Sequence, residues 1–264
     1  MDGSLVGAVS SYTFTNVTQD HTISVTFTSV APGLVHNINK GTYYNTIQSA
    51  LDDADNDNTI EVSNGTYDES ITFPFIKKII LRSINGASST IIRGNDDSAT
   101  VISDSPREGT TLEGFTLTHV SGNKGKEIYT NGNLIIKNCT ISGNATDWGR
   151  GGGIENYYGK ITITGSTISD NYADIHGGGI YNLDGVLTIT GSTISGNSAG
   201  SDGGGILGIS STTTIGGNNN AEKNVICGNY KIDEVLSLDQ QRRDASGSLY
   251  ETYKNTNYIS VYCD

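Results

Sequence analysis

The residues best suited to chemistry lie beside three runs of three glycines, Gly151–Gly153, Gly177–Gly179 and Gly203–Gly205. Arg150, His176 and Asp202 each precede one run and are spaced 26 residues apart. When repeats stack, a constant spacing places equivalent residues next to one another. Further carboxylates and aromatic side chains flank the same glycine runs, namely Asp147, Trp148, Glu155, Asp174 and Tyr181.

This mixture of side chains is suited to carbohydrate. Aromatic faces stack on the apolar side of a sugar ring, and carboxylates bind sugar hydroxyls or act as acid and base. We predict two sets of roles, catalytic for His176, Asp174, Arg150 and Asp202, and ligand-binding for Trp148, Asp147, Glu155 and Tyr181.

Two reaction types and one structural alternative fit these residues. In a lyase, His176 or Tyr181 would abstract the proton α to a uronate carboxyl while Arg150 neutralises that carboxyl. In a glycoside hydrolase, two of the four carboxylates would act as acid and base or nucleophile. Alternatively, the polar turns have this composition for conformational reasons alone, and the Arg, His and Asp column is a solvated ladder.

The elements that must position these residues belong to a repeat. Three consecutive segments superpose: GNLIIKNCTISGNATDWGRGGGIENY from Gly132, GKITITGSTISDNYADIHGGGIYNL from Gly159 and GVLTITGSTISGNSAGSDGGGILGI from Gly185. The alternation in 161–164 predicts a strand with isoleucines on one face. Stacking buries columns such as Leu134, Ile161 and Leu187, which no single repeat could bury. No 3.6-residue period is present, and successive glycines disfavour a helix.

These repeats, with their GGGIYN and LTITGSTISGN motifs, resemble the right-handed parallel β-helix proteins of the pectin-lyase-like superfamily. The resemblance covers roughly 110–229 and implies an all-β solenoid. It leaves the activity open, because this solenoid carries lyases, hydrolases, adhesins and passive stalks. The Asp, Arg and Lys constellation of the superfamily's enzymes has no residue-by-residue match here. Residues 2–28 resemble the last strands of internalin B-type bacterial surface repeats, which implies an exported, extracellular or cell-surface protein.

We predict three segments along the chain. Residues 1–29 form a hairpin remnant of the surface repeat, and residues 30–230 form the β-helix, with an N-terminal cap at 41–73 that contains a short helix. Residues 231–264 form an irregular C-terminal cap. A disulfide between Cys227 and Cys263 would join this cap to the last coil, whereas Cys139 stays alone in the wall.

Three further patterns in the sequence suggest a structural ladder, weak metal binding and an ice-binding array. Asn144, Asn171 and Asn197 recur in one turn, together with Asn123 and Asn229, and resemble the internal asparagine ladder of parallel β-helices. The run Asp53-x-Asp55-x-Asp57 imitates the start of an EF-hand but lacks the later glycine and glutamate, so Ca²⁺ is left open and no other cofactor is expected. Outward Thr162, Thr164, Thr188 and Thr190 form an array similar to that of ice-binding solenoids, although threonine also favours strands.

Composition limits the partners. The net charge is −12, which disfavours nucleic acid. No stretch is long and apolar enough to span a membrane, and the three cysteines have no zinc spacing. We therefore expect a monomeric surface module that binds a polysaccharide or cell-surface glycan, with a polysaccharide lyase or glycoside hydrolase and a passive stalk as the alternatives.

Overall fold

The structure, a computed structural model, describes residues 35–94, 98–106, 109–120, 125–147, 149–216, 224–227, 229–231 and 251–253. These residues belong to one compact unit, Pro32–Asp264. The hairpin predicted at 1–29, Asn123, Trp148, Cys263 and most of the predicted C-terminal cap lie outside the described residues. The side chain of Cys227 is also outside them, so the predicted disulfide stays a prediction.

Four sheets run along the solenoid, and almost all neighbouring strands are parallel. The first sheet contains, in spatial order, Thr42–Tyr44, Val35–Asn37, Thr59–Val62, Ile80–Ser83, Thr111–Glu113, Asn133–Lys137, Lys160–Thr164, Val186–Thr190, Thr212–Ile215 and Glu251–Tyr253. The second contains Gly65–Tyr67, Thr90–Gly94, Thr116–His119, Thr140–Ser142, Thr167–Ser169, Thr193–Ser195 and Val225–Cys227. The third contains Ile71–Thr72, Val101–Ser103, Ile128–Thr130, Ile154–Tyr157, Ile180–Leu183 and Ile206–Ile209. The fourth contains Ala145–Thr146, Tyr172–Ala173, Ser198–Ala199 and Tyr230–Lys231.

This architecture is the predicted parallel β-helix. Leu134, Ile161 and Leu187 pair in register, and all three are buried. The same holds for the isoleucine column of the second sheet, Ile141, Ile168 and Ile194. Each turn of the solenoid therefore adds one side chain to each inward column, and the core runs along the axis.

A short helix, Ile47–Asp53, covers the first coil as predicted. The Thr46 hydroxyl caps it by accepting a hydrogen bond from the Ser49 amide, and the Glu69 carboxylate accepts hydrogen bonds from the Ile47 and Gln48 amides. The predicted apolar face, which includes Ala50 and Leu51, is fully buried. The strand Val35–Asn37 pairs antiparallel with Thr59–Val62, and Thr42–Tyr44 pairs antiparallel with Val35–Asn37 and forms the edge of the first sheet. No described helix is long and apolar enough to cross a membrane.

The asparagine ladder forms inside the turns. Asn144 donates from Nδ2 to Oδ1 of Asn171 at 2.8 Å, Asn171 to Asn197 at 2.9 Å, and Asn197 to Asn229 at 2.9 Å. All four side chains are buried. Sequence reasoning missed a second amide column, in which Asn156 Nδ2 donates to Asn182 Oδ1 at 2.6 Å.

Cys139 is free and buried, as expected for a residue alone in the wall. Burial raises the pKa of its thiol to about 11. Its amide donates to the Ser166 hydroxyl at 3.1 Å, and the Ser166 amide donates to the Ser192 hydroxyl at 3.2 Å. The cysteine therefore occupies the first position of a serine column.

Candidate functional site

Arg150, His176 and Asp202 stack on successive coils, as their spacing predicts. Their backbones form isolated parallel bridges, Arg150 to His176 and His176 to Asp202. The Gly151 amide donates to the His176 carbonyl at 2.9 Å, and the Gly177 amide donates to the Asp202 carbonyl at 3.0 Å. Backbone hydrogen bonds thus hold the three residues in one column at the edge of the third sheet.

The first glycine of each run bends the chain back over the strand that follows. Gly177 has φ +65°, and a Cβ there would lie 2.6 Å from the Ile180 carbonyl oxygen and 2.8 Å from the Tyr181 Cβ. Only glycine fits this close approach. As a result, the first outward positions of these strands are covered, and Glu155, Tyr181 and Leu207 are all buried.

Tyr181 is the centre of a stacked cluster. Its ring is 2% exposed, with the Arg150 guanidinium 5.4 Å from the centroid and the His176 ring stacked at 6.4 Å. Tyr157 meets it edge-on at 5.9 Å. Burial raises the pKa of Tyr181. Its predicted ligand-binding role stays a prediction, and in this structure its ring is covered by protein groups.

Arg150 lies between the tyrosines, and among the described residues no carboxylate pairs with it within 4 Å. Its Nη1 donates to the Tyr157 hydroxyl at 3.4 Å, and its Nε is buried without a hydrogen-bond partner. The hydrogen bond to Tyr157 raises the pKa of Arg150. The guanidinium is therefore a fixed cation that retains unused donors.

The surroundings of His176 favour its neutral form. Burial lowers its pKa below 6.5, and Asp202 opposes this effect from 3.8 Å between Nδ1 and Oδ2. Nδ1 is buried without a hydrogen-bond partner. The side chains of His176 and Asp202 are 21% and 45% exposed, so a neutral imidazole edge and a carboxylate reach the surface.

Glu155 is engaged by a residue that sequence reasoning did not single out. Lys126 Nζ forms an ion pair with the Glu155 carboxylate, and the same ammonium lies 5.4 Å from the centroid of the Tyr129 ring. The two rings Tyr129 and Tyr157 are 6.0 Å apart. Lys126 and Glu155 neutralise each other at one end of the cluster.

Three tyrosines form a continuous aromatic surface here. Tyr129 and Tyr157 are partly exposed, and Tyr158 is 70% exposed, with its ring 6.5 Å from that of Tyr157. We call Tyr129, Tyr157 and Tyr158, together with Arg150, the tyrosine surface. A signal for Tyr157 existed in the sequence, because its column changes from aromatic to aliphatic at Leu183 and Ile209.

Asp147 and Asp174 occupy a different part of the turn. They follow the paired strands Ala145–Thr146 and Tyr172–Ala173, so their equivalence is confirmed by the register. Asp147 is exposed, and Asp174 accepts a hydrogen bond from the Tyr172 hydroxyl at 3.1 Å. The structure therefore brings Arg150, His176, Tyr181 and Asp202 together and engages Asp174 with Tyr172. The predicted catalytic roles stay predictions.

The candidate Ca²⁺ ligands are engaged by other groups. Asp53 pairs with Lys40 at 3.0 Å and accepts from the Tyr44 hydroxyl at 2.5 Å. Asp55 pairs with Lys40 at 3.2 Å, and Asp57 pairs with Lys78. Within the described ranges, no group of three or more His, Cys, Asp or Glu side chains could hold a metal ion.

Comparison with known proteins identifies a family. Residues 9–248 match the family described as Protein of unknown function (DUF1565). No curated protein and no solved structure matches the chain. The resemblances to pectin-lyase-like proteins and to internalin B-type repeats therefore stay predictions. Because the family match spans more than half of the chain, this protein belongs to the DUF1565 family.

Proposed function

We propose that this chain is an exported, surface-exposed module that binds carbohydrate at the tyrosine surface. The observation that carries the proposal is the environment of Arg150. Among the described residues its side chain makes one hydrogen bond, to Tyr157, and no ion pair within 4 Å. It lies next to partly exposed aromatic rings. A fixed cation beside aromatic faces matches a sugar ring that carries a carboxylate.

Each part of the tyrosine surface has a matching contact on such a sugar. The exposed Tyr158 ring supplies a face for the apolar C–H side of the ring. Phenol hydroxyls donate to and accept from sugar hydroxyls. A guanidinium can hold a carboxylate by two parallel hydrogen bonds. A uronic acid unit uses all three contacts.

The overall charge supports local rather than long-range recognition. The chain carries a net charge of −12, so its field repels polyanions. The Lys126 charge is neutralised by Glu155, so of the described cations at this surface Arg150 is the one that can pair with a ligand carboxylate. We therefore expect binding to one or two acidic sugar units rather than to a long polyanion.

Localisation to the cell surface is supported by the resemblance of residues 2–28 to bacterial surface repeats. Digestion of intact cells with an external protease tests it. We expect loss of the protein from whole cells while a cytosolic marker persists.

Isothermal titration calorimetry with oligogalacturonates tests the binding. Arg150→Gln should weaken binding at least about tenfold, because a hydrogen bond to a charged group contributes roughly 1.5–3 kcal/mol. Tyr158→Ala should weaken it without affecting folding, because the ring is 70% exposed. Arg93→Gln and Tyr43→Ala are matched controls, since Arg93 pairs with Asp68 on the second sheet and Tyr43 is 59% exposed near the N-terminal cap.

The alternatives give different results in the same samples. Depolymerisation of the glycan that is lost in His176→Gln would make the protein an enzyme. Equal affinities of Arg150→Gln, Arg93→Gln and the wild type would reject the tyrosine surface as the site. No binding to any acidic or neutral glycan would favour a passive stalk.

A further inference from the structure

A groove of about 330 Å³ lies where the first sheet bends towards the second. Its walls come from successive coils and include Glu61, Arg82, Ile84, Glu113 and Asn138. It shares no residue with the tyrosine surface, and no role was predicted for its residues from the sequence.

The groove follows a ladder of alternating charge. Glu61, Arg82 and Glu113 pair in register on three neighbouring strands, and Lys137 continues the same column. Arg82 donates to Glu61 Oε1 from Nη2 at 2.6 Å and from Nε at 3.2 Å. The charged residues that line the groove itself are two glutamates and one arginine, Glu61, Glu113 and Arg82, so an anionic ligand meets an excess of negative charge.

Glu113 retains free hydrogen-bonding capacity. Its one hydrogen bond within the described part of the chain is a long contact, 3.5 Å from Asn138 Nδ2. A carboxylate can accept about four hydrogen bonds. Arg82 also keeps N–H groups that do not face Glu61, and its side chain is 44% exposed. Acceptors and donors thus alternate along the groove.

Glycines keep the groove open. Gly86 and Gly114 both have positive φ, +83° and +77°. A Cβ at Gly114 would lie 3.3 Å from the Gly86 Cα, whereas a Cβ at Gly86 would meet nothing within 4 Å. A side chain at Gly86, which lines the groove, would therefore have open space around its Cβ. Ile84, which is 53% exposed, adds an apolar wall.

We propose that this groove is a second carbohydrate site, specific for an uncharged oligosaccharide. Sugar hydroxyls both donate and accept, which matches the Glu113 carboxylate and the Arg82 guanidinium. The C–H face of the ring matches Ile84. The excess of carboxylates over cations in the lining disfavours the acidic sugars proposed for the tyrosine surface, so the two sites can fail or succeed independently.

Calorimetric titration with neutral tetrasaccharides of glucose, mannose and xylose tests the groove. A concentration of about 10 mM fills a site whose Kd is about 1 mM. Gly86→Asn should reduce the affinity at least about tenfold, because Asn tolerates positive φ and fills the groove. Glu113→Gln, which keeps the shape and removes the charge, should reduce it about threefold to tenfold.

The matched control is Gly143→Asn. Gly143 also has positive φ, +72°, and a Cβ there meets nothing within 4 Å, but it lies outside the groove. The Gly143→Asn variant should bind neutral sugars with the same affinity as the wild type. The Gly86→Asn variant should bind oligogalacturonates with unchanged affinity. Unchanged neutral-sugar binding by Gly86→Asn, or no binding of any neutral tetrasaccharide by the wild type, would overturn the proposal.

Discussion

Replacing Asn171 by alanine should be among the most damaging single changes to this solenoid. Asn171 Nδ2 donates to Asn197 Oδ1 at 2.9 Å and to the Ile141 carbonyl at 3.0 Å. Its Oδ1 accepts from the Asn144 amide at 3.2 Å and from Asn144 Nδ2 at 2.8 Å. Alanine removes all four interactions in a fully buried turn.

The magnitude follows from the groups that lose their partners. The Asn144 amide and one Asn144 Nδ2 hydrogen are left buried without an acceptor. Each unsatisfied buried group costs about 1–3 kcal/mol, so Asn171→Ala should lower the free energy of unfolding by roughly 2–6 kcal/mol. Asn85→Ala is the control, because Asn85 is exposed and its Nδ2 donates to Asn64 Oδ1 at 2.7 Å, and the substitution should cost less than about 1 kcal/mol.

Urea unfolding followed by circular dichroism measures both variants, with hydrogen exchange to detect opening confined to a few coils. Solenoid repeats can unfold in separate segments, so the exchange rates of the neighbouring coils are part of the result. A loss below about 1 kcal/mol in Asn171→Ala, with unchanged exchange in the coils that flank it, would refute the assignment of the ladder as a main stabilising element.

Three further substitutions test two titratable side chains and one glycine turn. Burial raises the pKa of Glu127 above 4.5, so its contribution to stability is complete below pH 4.5 and declines as the pH rises towards the folded value. The difference in unfolding free energy between the wild type and Glu127→Gln should shrink over that pH range. If the urea midpoints of the two proteins kept a constant difference at every pH, this prediction would be contradicted. Burial lowers the pKa of His176 below 6.5, so stability should decline as the pH falls below 6.5, and this decline should be absent in His176→Gln. An imidazole NMR midpoint above 6.5 would oppose that prediction. Gly177→Ala should lower the free energy of unfolding by roughly 3 kcal/mol, because its Cβ would meet the Ile180 carbonyl at 2.6 Å, whereas Gly143→Ala should cost only about 1 kcal/mol. If Gly177→Ala and Gly143→Ala lost the same free energy of unfolding in denaturant titrations, the positive φ alone would set the cost.

The coils and their register could be predicted because each strand alternates inward and outward residues and each repeat keeps its length. Ile161 and Ile163 therefore align with Leu187 and Ile189, and the bridge between Arg150 and His176 follows from the same spacing. Length and periodicity are local properties of the chain. They are enough to predict the architecture without any knowledge of side-chain contacts.

The environment of the site could not be predicted in the same way. The alternation places Tyr181 on the outward face, yet it is buried because the glycine turn folds back over it. Lys126 lies 29 residues from Glu155, in a coil whose sequence departs from the regular repeat, so spacing gave no signal for their ion pair. Tertiary contacts between unequal repeats decide these features.

The most direct test of carbohydrate binding at the tyrosine surface is a chemical-shift map of the ¹⁵N-labelled protein titrated with oligogalacturonate. Binding there predicts saturable shifts at the Arg150 Nε–H and at the amides of Tyr129, Tyr157 and Tyr158, with little change at Arg93. The Arg150 Nε–H is a sensitive probe because it is buried without a hydrogen-bond partner. Shifts confined to other parts of the solenoid, or no shifts at saturating sugar, would contradict the proposed site.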